Sequence, residues 1–217
     1  MKFCAVLLLC LKSLVCSAQD LTSIIDPSMM NSKIWTGNSD YNVDGHPFLI
    51  DSWCLGAVST ISGQKFLGVN VKLDTHRGVL LVKAGNVVNS VNKEMVEGFE
   101  FIFDSEDFYF QKTELGYVRI VYSDKSIVVV LPKKKLKEAQ LSNGYNSTTK
   151  AVKDKLVEAS LNYISIDDGR TWSKVTSKKD LYAILDTKKL ERVSDNGKIR
   201  VKEIDDLVEV MRQYDSQ

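Results

Sequence analysis

Three groups of residues in this 217-residue chain are of the types that catalysis or ligand binding uses. The first is the stretch YISIDDGRTWSKV, Tyr163 to Val175, in which Ser165, Asp167, Gly169, Thr171 and Trp172 follow the spacing S-x-D-x-G-x-T-W. A carboxylate at that place can accept backbone N–H groups across a turn, or it can be one of the two acids of a glycoside hydrolase. The second group is Glu94, Glu97, Glu100, Asp104, Glu106 and Asp107, dense enough around one strand pair to offer two facing carboxylates. The third is Cys54 with His46 and His76. A thiol nucleophile needs a histidine beside it, and a zinc site needs three or four ligands. The two histidines fall in no H-E-x-x-H or other paired ligand spacing, and Cys54 lies between Trp53 and Leu55 in an apolar strand, the ordinary setting of a buried cysteine. No G-x-S-x-G, P-loop or dinucleotide fingerprint occurs. No catalytic, cofactor-binding or metal-ligating residue is assigned on these grounds, and no cofactor is expected.

These residues are carried by a run of short strands. Trp53 to Ile61 and Phe66 to Leu73 flank the turn Ser62-Gly63, and Val79 to Lys83 and Val87 to Val91 flank Ala84-Gly85-Asn86, whose glycine suits positive φ. Phe99 to Phe103 and Phe108 to Phe110 follow around Asp104 to Asp107, then Tyr117 to Tyr122 and Ser126 to Leu131 around Ser123-Asp124-Lys125. Seven or eight strands in sequence predict a meander closed as a barrel or stacked as a sandwich. Pro132 and the lysines from Lys133 to Lys137 should end it, as a solvated strand end.

Beyond the box hairpin the periodicity turns helical. Ser177 with Asp180 three residues on reads as a capping box, with Leu181, Ile184 and Leu185 on one face. Lys188 to Asn196 reads as a second short helix, closed by Asn196-Gly197. Ile204, Leu207, Val208 and Met211 mark a third, Glu203 to Tyr214. The fold class expected is therefore α+β: a β-rich meander, a β-hairpin and a small C-terminal three-helix segment.

The chain begins with Met1-Lys2, an apolar run from Phe3 to Leu11 and small residues up to Ala18, the pattern of a secretory signal peptide cut between Ala18 and Gln19. Acylation at Cys16 would want a small residue just before it, and Val15 stands there. The run is shorter than a membrane span and is interrupted by Lys12, so no transmembrane anchor is expected. Cleavage at that point leaves 27 basic against 28 acidic residues, a net charge of −1, and Cys54 alone. A near-neutral chain is a poor nucleic-acid partner, and one cysteine forms no internal disulfide. The expected layout is a signal peptide at 1–18, an extended arm at 19–47, a β-rich domain at 48–137, a linker at 138–155, and the hairpin with its helices at 156–217. Asn146-Ser147-Thr148 within that linker has the N-glycosylation pattern, which matters only in a eukaryotic secretory host.

Trp53-Cys54-Leu55-Gly56, the strand Gly116 to Tyr122, the lysine-rich end Lys133 to Lys137, the hairpin Tyr163 to Val175 and the helices from Leu181 to Tyr214 together resemble a family of uncharacterised secreted proteins of Bacteroidota. The resemblance implies an exported protein of the periplasm, outer membrane or cell exterior, and it brings no catalytic residues. The box spacing is also similar to the Asp box of bacterial sialidases. Those enzymes carry one box per propeller blade, with clustered arginines and a tyrosine nucleophile, whereas this chain has a single copy and about 200 residues. Asp167 is therefore expected to hold the turn, Gly169 to supply positive φ and Trp172 to pack on the strands. The functional expectation is a non-catalytic envelope protein that binds an envelope protein or a glycan, or serves as a structural component. The alternative is a small glycan-directed hydrolase. Oligomeric state is not legible from the chain.

Overall fold

The computed structural model describes residues 21–25, 43–138, 153–193, 199–201 and 203–217. The Ala18/Gln19 junction, Cys16, Asn146-Ser147-Thr148 and the Asn196-Gly197 turn lie outside the described residues. The described residues form thirteen strands: β1 (Val43–Asp44), β2 (Cys54–Thr60), β3 (Lys65–Asp74), β4 (Val79–Ala84), β5 (Val87–Ser90), β6 (Val96–Phe103), β7 (Glu106–Thr113), β8 (Gly116–Ser123), β9 (Ile127–Leu131), β10 (Lys134–Lys137), β11 (Asp154–Glu158), β12 (Leu161–Ser165) and β13 (Ser173–Val175). Three helices follow, α1 (Lys178–Ile184), α2 (Thr187–Val193) and α3 (Ile204–Asp215).

Ten strands form one antiparallel sheet in the order β13-β12-β9-β8-β7-β6-β2-β3-β4-β5. Two four-strand meanders, β2 to β5 and β6 to β9, lie side by side and join where β2 pairs with β6. Period-two burial along β6 and β7 puts Phe99, Phe101, Phe108 and Phe110 on one face, Val96 joins the same core across a register shift between β2 and β6, and β3 and β4 add Phe66, Val71, Leu80 and Val82. Stacked rings bind this core laterally, with Phe99 and Phe110 centroids 4.7 Å apart and Phe101 and Phe108 5.0 Å apart. Asp104 and Ser105, both at positive φ, form the tight two-residue link between β6 and β7, a conformation that aspartate tolerates better than most residues.

The architecture is the α+β arrangement expected, but the barrel alternative does not hold. Among the described residues β5 and β13 are each paired on one side only, so the sheet is open. At the β13 end its face is covered by helices instead: Val128, Ile164 and Val175 pack under Leu181, Leu190, Leu207 and Met211 as a second core. Helix α1 starts as the sequence implies, with the Asp180 carboxylate accepting from the backbone N–H groups of Thr176 at 2.7 Å and Ser177 at 2.8 Å.

Pro132 does mark an exit, since the chain leaves the large sheet there for a three-stranded one, β1-β11-β10. The lysine run is not wholly a solvated end. Lys134 is half-buried, and its ammonium donates to the carbonyls of His46 at 3.1 Å and Phe48 at 2.7 Å. Strand β11 begins inside the stretch expected as linker, and β12 returns to pair with β9, which makes the box hairpin the edge of the large sheet. Where the N-terminal arm is described it belongs to the body. Ile24 is fully buried in the first core, and Val43 pairs with Asp154 in parallel.

Candidate functional site

The box is closed upon itself. Ser165 Oγ donates to Asp167 Oδ1 at 2.7 Å and accepts from the N–H of Gly169 at 2.9 Å. Asp167 then accepts from the Thr171 N–H at 3.0 Å and the Thr171 hydroxyl at 2.7 Å. Asp168 and Gly169 take positive φ. The Trp172 indole lies against the turn, so near that a Cβ on Gly169 would stand 3.4 Å from its Cζ2 and 3.8 Å from Ile127 Cδ1. Bonds from the Thr171 side chain, Ser165 and the Thr171 backbone, in that order, hold the Asp167 carboxyl down to about 2. A carboxyl so low is an ionised acceptor across the neutral range and a poor general acid.

A first expected result follows from this geometry. Asp167→Ala removes the acceptor of Thr171 and should lower the melting temperature by about 2–4 °C. Because the folded carboxyl lies below its ordinary 3.8, its stabilisation is present above that value and is lost as pH falls toward 2. Calorimetric melts at pH 7 and pH 2.5 should therefore differ between wild type and variant mainly at pH 7. An equal difference at both pH values would contradict the structural role.

Three of the six acids are drawn to cations, while Glu100 and Asp107 line one shallow hollow on the sheet. Glu94 bonds Lys112 at 3.0 Å, Glu100 bonds Lys65 at 2.7 Å and Glu106 pairs with Arg119, each acid with its own cation. Cys54 is buried, and burial pushes its thiol up, away from the thiolate a nucleophile needs. The two histidines, far apart in sequence, meet the same residue: His46 Nδ1 lies 3.5 Å from Lys134 Nζ, and His76 Nδ1 lies 3.1 Å from the Lys134 carbonyl oxygen. Burial, and then the neighbouring Lys134 charge, lower the His46 pKa. Among the described residues no three His, Cys, Asp or Glu side chains gather as metal ligands.

Two surface features were not foreseen from the sequence. On the outer face of the sheet, Leu55, Leu67, Ile102 and Tyr109 are each more than half exposed around a shallow hollow lined by Gly56 and Gly68. At one end of the first core, a cavity of about 490 Å³ opens between the β3–β4 turn, the β7–β8 turn and Pro132. Strand alternation hints at the first through the exposed partners of buried positions. The second joins residues from turns far apart in the chain, which only the strand order brings together.

Compared with known proteins, the chain matches no protein-family model, no curated protein and no solved structure. Among the described residues no helix is long and apolar enough to cross a membrane.

Proposed function

We propose that this is an exported protein of the cell envelope that acts by association and turns over no substrate. The observation that carries the reading is the apolar outer face of the large sheet. Leu55, Leu67, Ile102 and Tyr109 come from four adjacent strands, β2, β3, β6 and β7, and their exposure as a group is what an interaction surface requires. Glu100 and Asp107 line the hollow, Glu100 paired with Lys65 and Asp107 exposed. The fitting partner is therefore an envelope protein with an apolar centre and a basic group to meet Asp107. The leader Met1 to Ala18 and the resemblance to secreted proteins of Bacteroidota support the location.

The test is crosslinking and affinity recovery from native envelopes with wild type and with Ile102→Glu. The wild-type protein should have an intact mass beginning at Gln19 and should recover a reproducible partner, and Ile102→Glu should reduce that recovery about tenfold or more while leaving the melting temperature within about 2 °C. Equal recovery by both proteins, or turnover of glycosidase, esterase or peptidase substrates above a heat-killed control, would overturn the reading.

A further inference from the structure

Between Lys133 and Lys155 the sequence carries seven lysines and two acids, Glu138 and Asp154, a net of +5 in a chain whose total is +1. The remainder therefore sums to −4. Charge divided in this way gives the molecule a basic pole.

The small sheet concentrates that charge on one face. Lys135 lies opposite Val157 and Lys137 opposite Lys155, and on the other side of β11 Asp44 lies opposite Lys155. Side chains alternate along a strand, so Lys135, Lys137, Lys153 and Lys155 share a face with Asp44 and Val157. The opposite face turns to the body, where Lys134 donates to the carbonyls of His46 and Phe48 and Leu156 is buried. The lysine face is thus the outer one, and all four of its lysines are exposed. Asp44, the one acid on it among the described residues, stands 3.9 Å from Lys153. Lys135, Lys137 and Lys155 have no ion pair among the described residues.

Two features set this face apart from an ordinary solvated one. Lys137 lies directly opposite Lys155, and like charges so placed destabilise a sheet where an acid at either position would have supported it. Residues 139–152, which join the two strands, contain Lys150 and no acid, so the connection brings no counter-charge of its own. A negatively charged partner would relieve the repulsion.

The side chains select the kind of partner. A lysine ammonium is a point charge on a flexible stem, without the fixed fork by which arginine clasps one carboxylate or phosphate. The face has no aromatic ring among its described residues on which a sugar could stack, and its apolar side chain, Val157, is half-buried between the lysines. Several mobile positive charges held in one plane match a plane of mobile phosphates, the headgroups of an anionic bilayer.

We propose that the outer face of the β1-β11-β10 sheet is an electrostatic docking surface for anionic lipid headgroups, which Lys135, Lys137, Lys153 and Lys155 contact. It shares no residue with the apolar face of the large sheet, so either can fail without the other.

Co-sedimentation of the exported protein with phosphatidylcholine vesicles, with and without about one-third phosphatidylglycerol, tests this. Binding to the acidic vesicles should exceed binding to the neutral ones about tenfold or more, and raising the salt from about 0.05 M to about 0.5 M should abolish it. The triple variant Lys135→Gln/Lys137→Gln/Lys155→Gln should lose about tenfold or more of that binding. Its melting temperature should be unchanged or higher, because the Lys137–Lys155 repulsion is gone. Lys65→Gln/Lys83→Gln/Lys174→Gln removes the same number of charges from the large sheet and should bind as wild type does, as should Ile102→Glu. Equal binding to neutral and acidic vesicles, equal losses in the two triple variants, or retention on polygalacturonate without vesicle binding, the mark of an acidic glycan partner, would overturn the proposal.

Discussion

Gly56→Ala is expected to unfold the protein or to cost more than about 3 kcal/mol, the largest effect of any single methyl group in the sheet. Gly56 sits in β2 where β2 meets β6, opposite Phe101. A Cβ there would stand 2.1 Å from the Glu100 carbonyl oxygen and 2.9 Å from Phe101 Cβ. The first of these is backbone, so no rotamer change relieves the contact. The strands would have to separate at the junction of the two meanders. Urea denaturation reads the result, and an unchanged midpoint would refute the close approach.

Asp215→Ala should cost about 3 kcal/mol, with Asp215→Asn losing about half of that. Asp215 ends α3 and is 3% exposed, and its Oδ2 accepts from Ser126 N–H at 2.9 Å, Ser126 Oγ at 2.7 Å and the Tyr122 hydroxyl at 3.1 Å. Lys125 donates to its backbone carbonyl. Alanine would leave the donors of Ser126 buried with no acceptor, while asparagine keeps one oxygen for them. The variant also changes the alkaline limb. Burial first, and the bond to Asp215 second, push the Tyr122 phenol up to about 12 from 10.0. The resulting stabilisation is complete below pH 10 and disappears as pH rises through 12. Wild type should therefore lose more stability between pH 9 and pH 12 than Asp215→Ala does. Denaturant midpoints across that interval decide it, and parallel curves would remove Asp215 from the account.

The strands were legible because alternation is a local signal. Phe66, Val69, Val71 and Leu73 announce β3 to within a residue of where it begins, and Phe99 with Phe101 announces β6, which begins three residues earlier at Val96. Ser177 and Asp180 announce the start of α1 in the same way. The order of the strands was not legible. That β6 lies against β2, and that β12 returns to β9 after the small sheet, depends on pairings between distant segments that leave no short-range trace. The box residues Ser165, Asp167, Gly169, Thr171 and Trp172 were readable as one turn because their side-chain partners lie within a few residues, apart from Ile127, which pairs with Ser165 across the ladder. Lys134 was misjudged for the opposite reason, since its carbonyl partners belong to His46 and Phe48. The cavity beside Pro132 needed the topology first, because Arg77, Lys93, Lys112 and Lys133 have no sequence pattern in common.

The strand order divides the work of chain closure unevenly. Of the nine pairings in the large sheet, seven join consecutive strands across a short turn, and only β2 with β6 and β9 with β12 bring together distant segments. Each meander can therefore form from its own contacts, and the entropy of closing long loops falls on two seams. Both seams are also stitched by side chains that belong to no turn, Val58 with Phe99 at the first and Val128 with Ile164 at the second. Within the large sheet, long-range pairing is thus confined to the two ladders that join three locally paired pieces.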